Sequence, residues 1–519
     1  MTESDVIVVG SGPAGTCAAW PLVEAGLTVT MVDAGITRPP PPPVERPSLM
    51  EMRRLNDPRW LLGAGLEAVR SVGDASPKLR TAAARGFDAG FLSANRIETR
   101  GFRAIGALAP GGLSTVWGAI ACGLTAEEFA HWPAAAVAAM PESYRRVAAR
   151  VGLAGDAGDA RRLGIDCGAP LLAPLPLSPA AALLAARARR AGDAGMAIGR
   201  PVSAVLTEAR DGRRACVLCR GCMWGCPVGA VWSSADELPA LLAHANFRLR
   251  SGLVVEAVEP AAGGWMLRCR DAGSGRTENL RAPRVVLAAG PLPTTRLALA
   301  AAGRFDEWRP LVNTPAVGFA LVVPSQLGRP LAECGYGNAQ LAFRLDGGRG
   351  FGLIYDGDVM AAADLMARMP LSRPGAAALT RALEPALMLG LLYLPGSLSA
   401  NRVRIESAAD GARLVIEGAV AAALPAARRA AVRALAAGFR RLGAWLLPGS
   451  ARPLEPGAEI HTGATLPMGD ATSEGGEVAG CPGLFVADAA CLPDIPAKHH
   501  TLTVMANADR IGQRMVAGI

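Results

Sequence analysis

Three groups of residues in this chain of 519 amino acids have the types and spacing to do chemistry. The first is ACVLCRGCMWGCPVGA at 215–230, in which Cys216, Cys219, Cys222 and Cys226 are followed by Pro227. Gaps of two, two and three residues before a Cys-Pro pair are the spacing of bacterial ferredoxin ligands, whose thiolates wrap an iron–sulfur cluster. There is no second quartet. The run would therefore close on itself, take a distant ligand such as Cys481 or Cys491, or hold a three-iron cluster. Four thiolates also suit zinc, although zinc sites favour two separated pairs. A reduced loop without metal is the third reading.

The second group is histidine. Three of the five histidines fall on two segments rich in small residues, HTGATLPMG at 461–469 and KHHTLTVMANADR at 498–510. Between them GLFVADA (483–489) reads as a buried strand ending near Asp488. Such a placement favours a reactive site over core histidines.

The third group is GSGPAG, with Gly10, Gly12, Pro13, Ala14 and Gly15, after the apolar run DVIVV. Here G-x-G-x-x-G follows a strand and opens a helix, and Asp33 ends a second strand at 27–32. Gly10 makes the turn, Gly12 admits a pyrophosphate and Gly15 permits close packing, with phosphate against the helix N-terminus. Asp33 can accept from a ribose 2′-hydroxyl. Pro21 is expected to kink or shorten this helix.

These groups need a scaffold, and the length allows two or three domains. A hydrophobic fraction of 51% and a charged fraction of 19% describe a globular protein. The net charge of +8 is not concentrated beside aromatics, so no nucleic-acid partner is expected. Apolar runs such as 386–394 are too short to span a bilayer. The first strand starts at residue 5, so no secretory leader is expected and the cytoplasm is the expected compartment. Scattered cysteines around one cluster fit a reducing compartment.

Along the chain, 36–47 holds five consecutive prolines, a stiff connector. Segment 50–101 reads as helices and loops. Then comes GGLSTVWGA at 111–119, where Gly111, Gly112 and Ser114 suit close approach to a ligand. A helix is expected over 134–151 and another within 234–245. Strands follow at 247–259 and 265–270, and 284–290 (RVVLAAG) is a buried strand before a helix near Pro293. From 308 to 419 short alternating segments and a hairpin turn at Asp410-Gly411 predict an antiparallel sheet. The most regular helix spans 425–447, with Val432, Leu435, Phe439, Leu442 and Leu446 on one face.

In combination, VIVVGSGPAG with Asp33, GGLSTVWG, VVLAAGPL, HTGATLPMG, LFVADAACLP and HHTLTVMANADRIG resemble the glucose–methanol–choline (GMC) family of FAD-dependent oxidoreductases, in family order. The resemblance implies an α/β fold: a discontinuous Rossmann-type FAD-binding domain (1–307 and 451–519, with the cysteine loop inserted around 205–235) and a substrate domain with an antiparallel sheet (308–450). It implies reacting histidines at His461 and at His499 or His500. Beyond the glycine loop, it implies FAD contacts at Ala34, Gly111, Gly112, Ser114, Val255, Ala289, Gly290, Asp488, Ala489 and Thr501. Val116 stands where some relatives attach FAD to histidine, so non-covalent FAD is expected. Ala464 stands where the family motif has glycine. Some family members with a similar cysteine loop hold an iron–sulfur cluster.

Oxidising a hydroxyl requires its proton to leave and a hydride to reach the flavin, and neutral imidazole suits the proton. The expected activity is thus oxidation of an alcohol, sugar or glycosylated natural product, with electrons leaving through the cluster to an external acceptor such as a redox protein. An oxygen-using oxidase with structural cysteines is one alternative. A flavin- and metal-bearing electron-transfer subunit without a substrate is the other.

Overall fold

Val6–Val9 is wholly buried and pairs in parallel on both sides, with Val29–Asp33 and with Arg284–Leu287. Burial on both faces accounts for its unbroken apolar run. Leu484–Val486 and Phe247–Ser251 complete a five-stranded parallel sheet assembled from distant pieces of chain. These elements belong to a computed structural model that describes residues 4–35, 48–55, 90–359, 366, 369–409 and 411–518. The proline connector at 36–47 and Asp410 of the expected hairpin turn lie outside the described residues.

The first helix, Pro13–Glu24, runs through Pro21 and is not shortened by it. Its partner is the last helix, Thr501–Ala517. At Gly512 a β-carbon would run into Ala18 and the Pro21 ring, so the ring occupies the close crossing of the two helices. Tertiary packing outweighs the propensity cost of this proline.

The strand expected over 247–259 is two strands. Gly252 takes φ 84°, open to glycine, and the chain leaves the parallel sheet there. Leu253–Ala261 then begins a three-stranded antiparallel sheet with Gly264–Asp271 and Thr277–Ala282.

The second unit is an antiparallel sheet in the order Trp445–Leu446, Ala316–Val322, Leu387–Tyr393, Gly350–Asp356, Leu341–Leu345 and Met196–Gly199, with Arg452–Pro453 beside Ala316–Val322. Met196–Gly199 comes from far upstream. Helix Leu424–Arg441 closes this core, where Phe439 meets Phe343 at 5.5 Å and Phe319 at 6.4 Å between ring centroids. The helix stops at Arg441, earlier than the expected 447, because Trp445–Leu446 joins the sheet edge. The expected hairpin, Arg402–Ala408 with Gly411–Glu417, forms in a separate four-stranded sheet with Ile97–Arg100, a strand in a region read as helix and loop. Among the described residues no helix is long and apolar enough to cross a membrane.

Candidate active site

The parallel sheet ends in a cradle made of glycine. Gly10 takes φ 100° and packs on Ala288, whose carbonyl oxygen would lie 2.5 Å from an added β-carbon. At Gly15 a β-carbon would enter the Gly10 carbonyl, whereas at Gly12 it would meet nothing within 4 Å. Pro13 and the buried Ala14 open a helix whose first turn no side chain caps, leaving backbone amides toward that space. Gly112 faces it, since its β-carbon would lie 3.5 Å from Gly12 Cα. Gly111 donates its amide to Ser11 Oγ at 3.0 Å, and Ser114 Oγ donates to the Gly111 carbonyl at 2.6 Å.

Asp33 is held by its own surroundings. Its Oδ2 accepts from the Ser11 amide at 2.9 Å and the Ser11 hydroxyl at 2.7 Å, and its Oδ1 accepts from the Gly35 amide at 2.9 Å. A carboxylate oxygen takes about two donors, so Oδ1 keeps a position for a ribose hydroxyl. Ala34 is half-buried beside it. Val255 is buried, and its carbonyl accepts from Arg296 Nη2 at 3.3 Å. Gly290 takes φ 90°, has open space at its β position, and starts another helix without a side-chain cap, Pro291–Ala301. Next to it the Ala289 amide donates to Thr294 Oγ1 at 3.2 Å, and that hydroxyl donates to Asp488 Oδ2 at 2.6 Å. Burial pushes the Asp488 carboxyl up to about 6. The open helix ends and the space above Gly12 fit a dinucleotide diphosphate.

The histidine segments meet beside this cradle. Segment 462–468 runs along 489–491 through amides donated by Ala464, Leu466 and Met468 to the carbonyls of Ala489, Ala490 and Cys491. Ala489 also fills the space beside Gly463. His461 lies 4.5 Å from His499 and 5.4 Å from His500 between ring centroids, so both candidates of the second segment reach it. Thr501, half-buried, starts the last helix immediately after them. Lys498 anchors the pair from behind, donating to the carbonyls of Gly123 at 3.2 Å and Gly164 at 2.5 Å and pairing with Glu128 at 2.6 Å.

Their surroundings keep the His461 and His500 rings neutral. Loss of water pushes His461 well below the ordinary histidine range, and His499 and His500 add to that by repulsion. Burial lowers His500 to about 4, and its Nδ1 is buried with no hydrogen-bond partner among the described residues.

Two contributors are not legible from sequence. Tyr393 lies 4.9 Å from the His461 ring and 5.0 Å from His499. Thr314 Oγ1 is 3.2 Å from His461 Nδ1, and its amide donates to the His461 carbonyl at 3.3 Å. Both come from the weakly patterned middle of the chain, where only the alternation of a strand marks Tyr393.

The cysteine run does not fit the metal site its spacing predicts. Among the described residues no group of three or more His, Cys, Asp or Glu side chains is gathered to hold a metal ion. Cys216, Cys219, Cys222 and Cys226 are free thiols, as are Cys481 and Cys491. The loop's shape is set by partners distant in sequence. Leu218 and Arg220 take φ 53° and 58°, and both exchange backbone hydrogen bonds with Gly335. The buried Arg220 guanidinium is fixed by Asp358 at 2.6 Å and Asp356 at 3.1 Å. Burial pushes the Cys216 thiol up to about 11 and Cys222 higher still, with the neighbouring cysteines adding in the same direction.

Residues 398–508, which include Tyr-free strand 402–408, His461 and both histidines of the second segment, match the family model described as GMC oxidoreductase. This stretch is similar to the C-terminal domain of GMC oxidoreductases. The chain is also similar over its length to solved GMC-type structures. One is a fungal aryl-alcohol oxidase (13% identity, TM-score 0.57, covering 100% of this chain and 99% of that one). Another is pyridoxine 4-oxidase from Mesorbium loti (17%, 0.57, covering 98% and 99%). A third is an FAD-dependent oxidoreductase from Chaetomium thermophilum (13%, 0.56, covering 99% of each chain). At such identities the likeness shows the fold, a parallel-sheet unit with an antiparallel-sheet unit. No curated protein matches the chain.

Proposed function

We propose that this chain binds FAD without a covalent link and oxidises the hydroxyl of a small alcohol to a carbonyl. The observation that carries the reading is the cluster of His461, His499, His500 and Tyr393 beside the glycine cradle. The aryl-alcohol oxidase and pyridoxine 4-oxidase among the similar structures support an alcohol substrate, and they make oxygen the first acceptor to test. In this reading Gly10–Gly15, Gly111, Gly112, Ser114, Ala289, Gly290, Asp488, Ala489 and Thr501 surround the diphosphate and flavin, and Asp33, Ala34 and Val255 the adenosine. Residues 1–307 and 451–519 make the FAD-binding domain, and 308–450 the substrate domain, to which Met196–Gly199 lends a strand.

Bound FAD would supply the hydride acceptor. The protein's share is the proton and the geometry. With Nδ1–H donating to Thr314 Oγ1, His461 presents the Nε2 lone pair to the substrate hydroxyl and takes its proton. The neutral His500, with its unfilled Nδ1, can hold the substrate oxygen from the other side. Tyr393 packs on His461 and His499 and fixes their planes.

The test is anaerobic mixing of the purified flavoprotein with a panel of benzylic alcohols, pyridine methanols and sugars. Bleaching of the flavin bands by at least one alcohol, and their return on admitting air, is the expected result. A flavoprotein that no alcohol reduces, or a chain that binds no flavin, would contradict the proposal.

A further inference from the structure

The backbone before His461 is bent in a way that sequence does not announce. Ile460 takes φ 66°, a conformation β-branched residues almost never adopt. Strain of this kind, about 1–3 kcal/mol, persists only where the surroundings impose it. The surroundings here are two consecutive residues, Asn313 and Thr314, the first in a short strand that pairs antiparallel with Thr462–Gly463. Asn313 Nδ2 donates to Glu459 Oε1 at 2.7 Å, and Thr314 meets His461 Nδ1 at 3.2 Å. One clamp thus grips Glu459 and His461 on either side of the strained residue.

The clamp is braced. Asn401 Nδ2 donates to Asn313 Oδ1 at 2.8 Å and to Ser399 Oγ at 2.8 Å, while Asn401 Oδ1 accepts from the Ala419 amide at 3.0 Å. Every amide in this chain is satisfied, and it ends on Glu459. There the satisfaction thins: Glu459 Oε2 is buried with no hydrogen bond of full geometry among the described residues, and only the backbone of Glu459 and Gly457 supports the carboxyl besides Asn313. A residue needed only as a fastener would be as good as glutamine and would not leave a carboxyl oxygen unpaired, at a cost of about 1–3 kcal/mol.

We propose that Glu459 is a proton-holding positioning residue for the His461 chemistry, acting through the Asn313–Thr314 clamp and through Tyr393. The inference rests on the proposed function. Tyr393 connects the two groups: its hydroxyl feels the Glu459 charge, and its ring packs on His461. The titratable group coupled to Glu459 is Tyr393 from strand Leu387–Tyr393, whose ring in turn packs on His461 and His499; His461 itself lies two residues further along the Glu459 segment. Burial raises the carboxyl to about 7, against lowering by Asn313 and by the backbone of Glu459 and Gly457. Above that pH the carboxylate charge favours protonation of His461 during the reaction, and below it the favour is withdrawn.

The decisive variant is Glu459→Gln in the flavin-loaded enzyme. In wild type, kcat/KM should rise with pH through an ionisation near 7. The variant should lose that ionisation and stay roughly tenfold below the wild-type upper plateau, the effect of one unit of basicity at His461. Asn313→Ala removes a donor that lowers the carboxyl, so it should move the same ionisation upward. An unchanged profile in Glu459→Gln, or an unmoved ionisation in Asn313→Ala, would overturn the inference. Infrared titration of the wild-type protein gives a reading independent of turnover and of variant folding. A carboxylic-acid band that fades near 7 and is missing from Glu459→Gln supports the inference, and a carboxylate throughout the neutral range overturns it. If no alcohol reduces the flavin while this band still titrates, the proposed function fails and the buried proton holder stands.

Discussion

Ala464 occupies a left-handed backbone, φ 55°, two residues after Thr462. Its amide donates to the Ala489 carbonyl at 2.9 Å, which fixes the bend whatever the side chain. An L-residue with a β-carbon is strained there. Ala464→Gly is therefore expected to stabilise the protein by about 0.5–1 kcal/mol, read as a raised melting temperature. The resemblance had placed a glycine at this position, and the left-handed backbone that Ala464 keeps is the one glycine favours. His500 gives a second prediction at this scale. Its folded value of about 4 lies below the ordinary 6.5, so the unfolded chain binds the extra proton. Stability from the neutral ring is complete above 6.5 and declines as pH falls toward 4. The loss is on the order of 3 kcal/mol, and His461 adds in the same direction. Urea unfolding at neutral and mildly acidic pH should show the drop, and His500→Gln should flatten it.

At the scale of elements, Gly12 and Gly15 separate cofactor binding from folding. A β-carbon on Gly12 has open space and ordinary φ, so Gly12→Ala should keep its fold and melting temperature as apoprotein. It should lose flavin, because that space is where the diphosphate is proposed to sit. Gly15→Ala drives a methyl into the Gly10 carbonyl and should cost about 1–3 kcal/mol as well as flavin. Flavin content after gel filtration and apoprotein melting curves check both. The strand–turn–helix–strand shape here was legible because Gly10, Gly15 and Asp33 all lie within thirty-odd residues of sequence, whereas the packing of Gly10 on Ala288 was not. The cysteine loop shows the opposite case. Its spacing is local, but its conformation is imposed by Asp356 and Asp358, more than a hundred residues away, and spacing cannot report that. The break at Gly252 escaped for a related reason: the residues on both sides are extended, and the two strands differ in which sheet they join.

Across the whole molecule the site sits where two hydrophobic cores meet. The larger core holds the parallel sheet and the C-terminal segment, and the smaller one packs Phe319, Phe343 and Phe439 behind the antiparallel sheet. His461, His499 and His500 come from the C-terminal segment and Tyr393 from the antiparallel sheet, while Asn313 and Thr314 belong to a short strand, Val312–Asn313, and the residue after it, paired with Thr462–Gly463 beside His461. Histidines are rare in this chain, so their clustering was visible in sequence. The tyrosine, threonine and asparagine are ordinary strand residues, and only the folded arrangement gives them a part. The measurement that tests the account most directly is the anaerobic rate of flavin reduction by the best alcohol in His461→Ala against wild type. Loss of the base should slow reduction by about 10²–10⁴-fold with flavin content unchanged. Reduction at the wild-type rate in a fully loaded variant would contradict the central role given to His461.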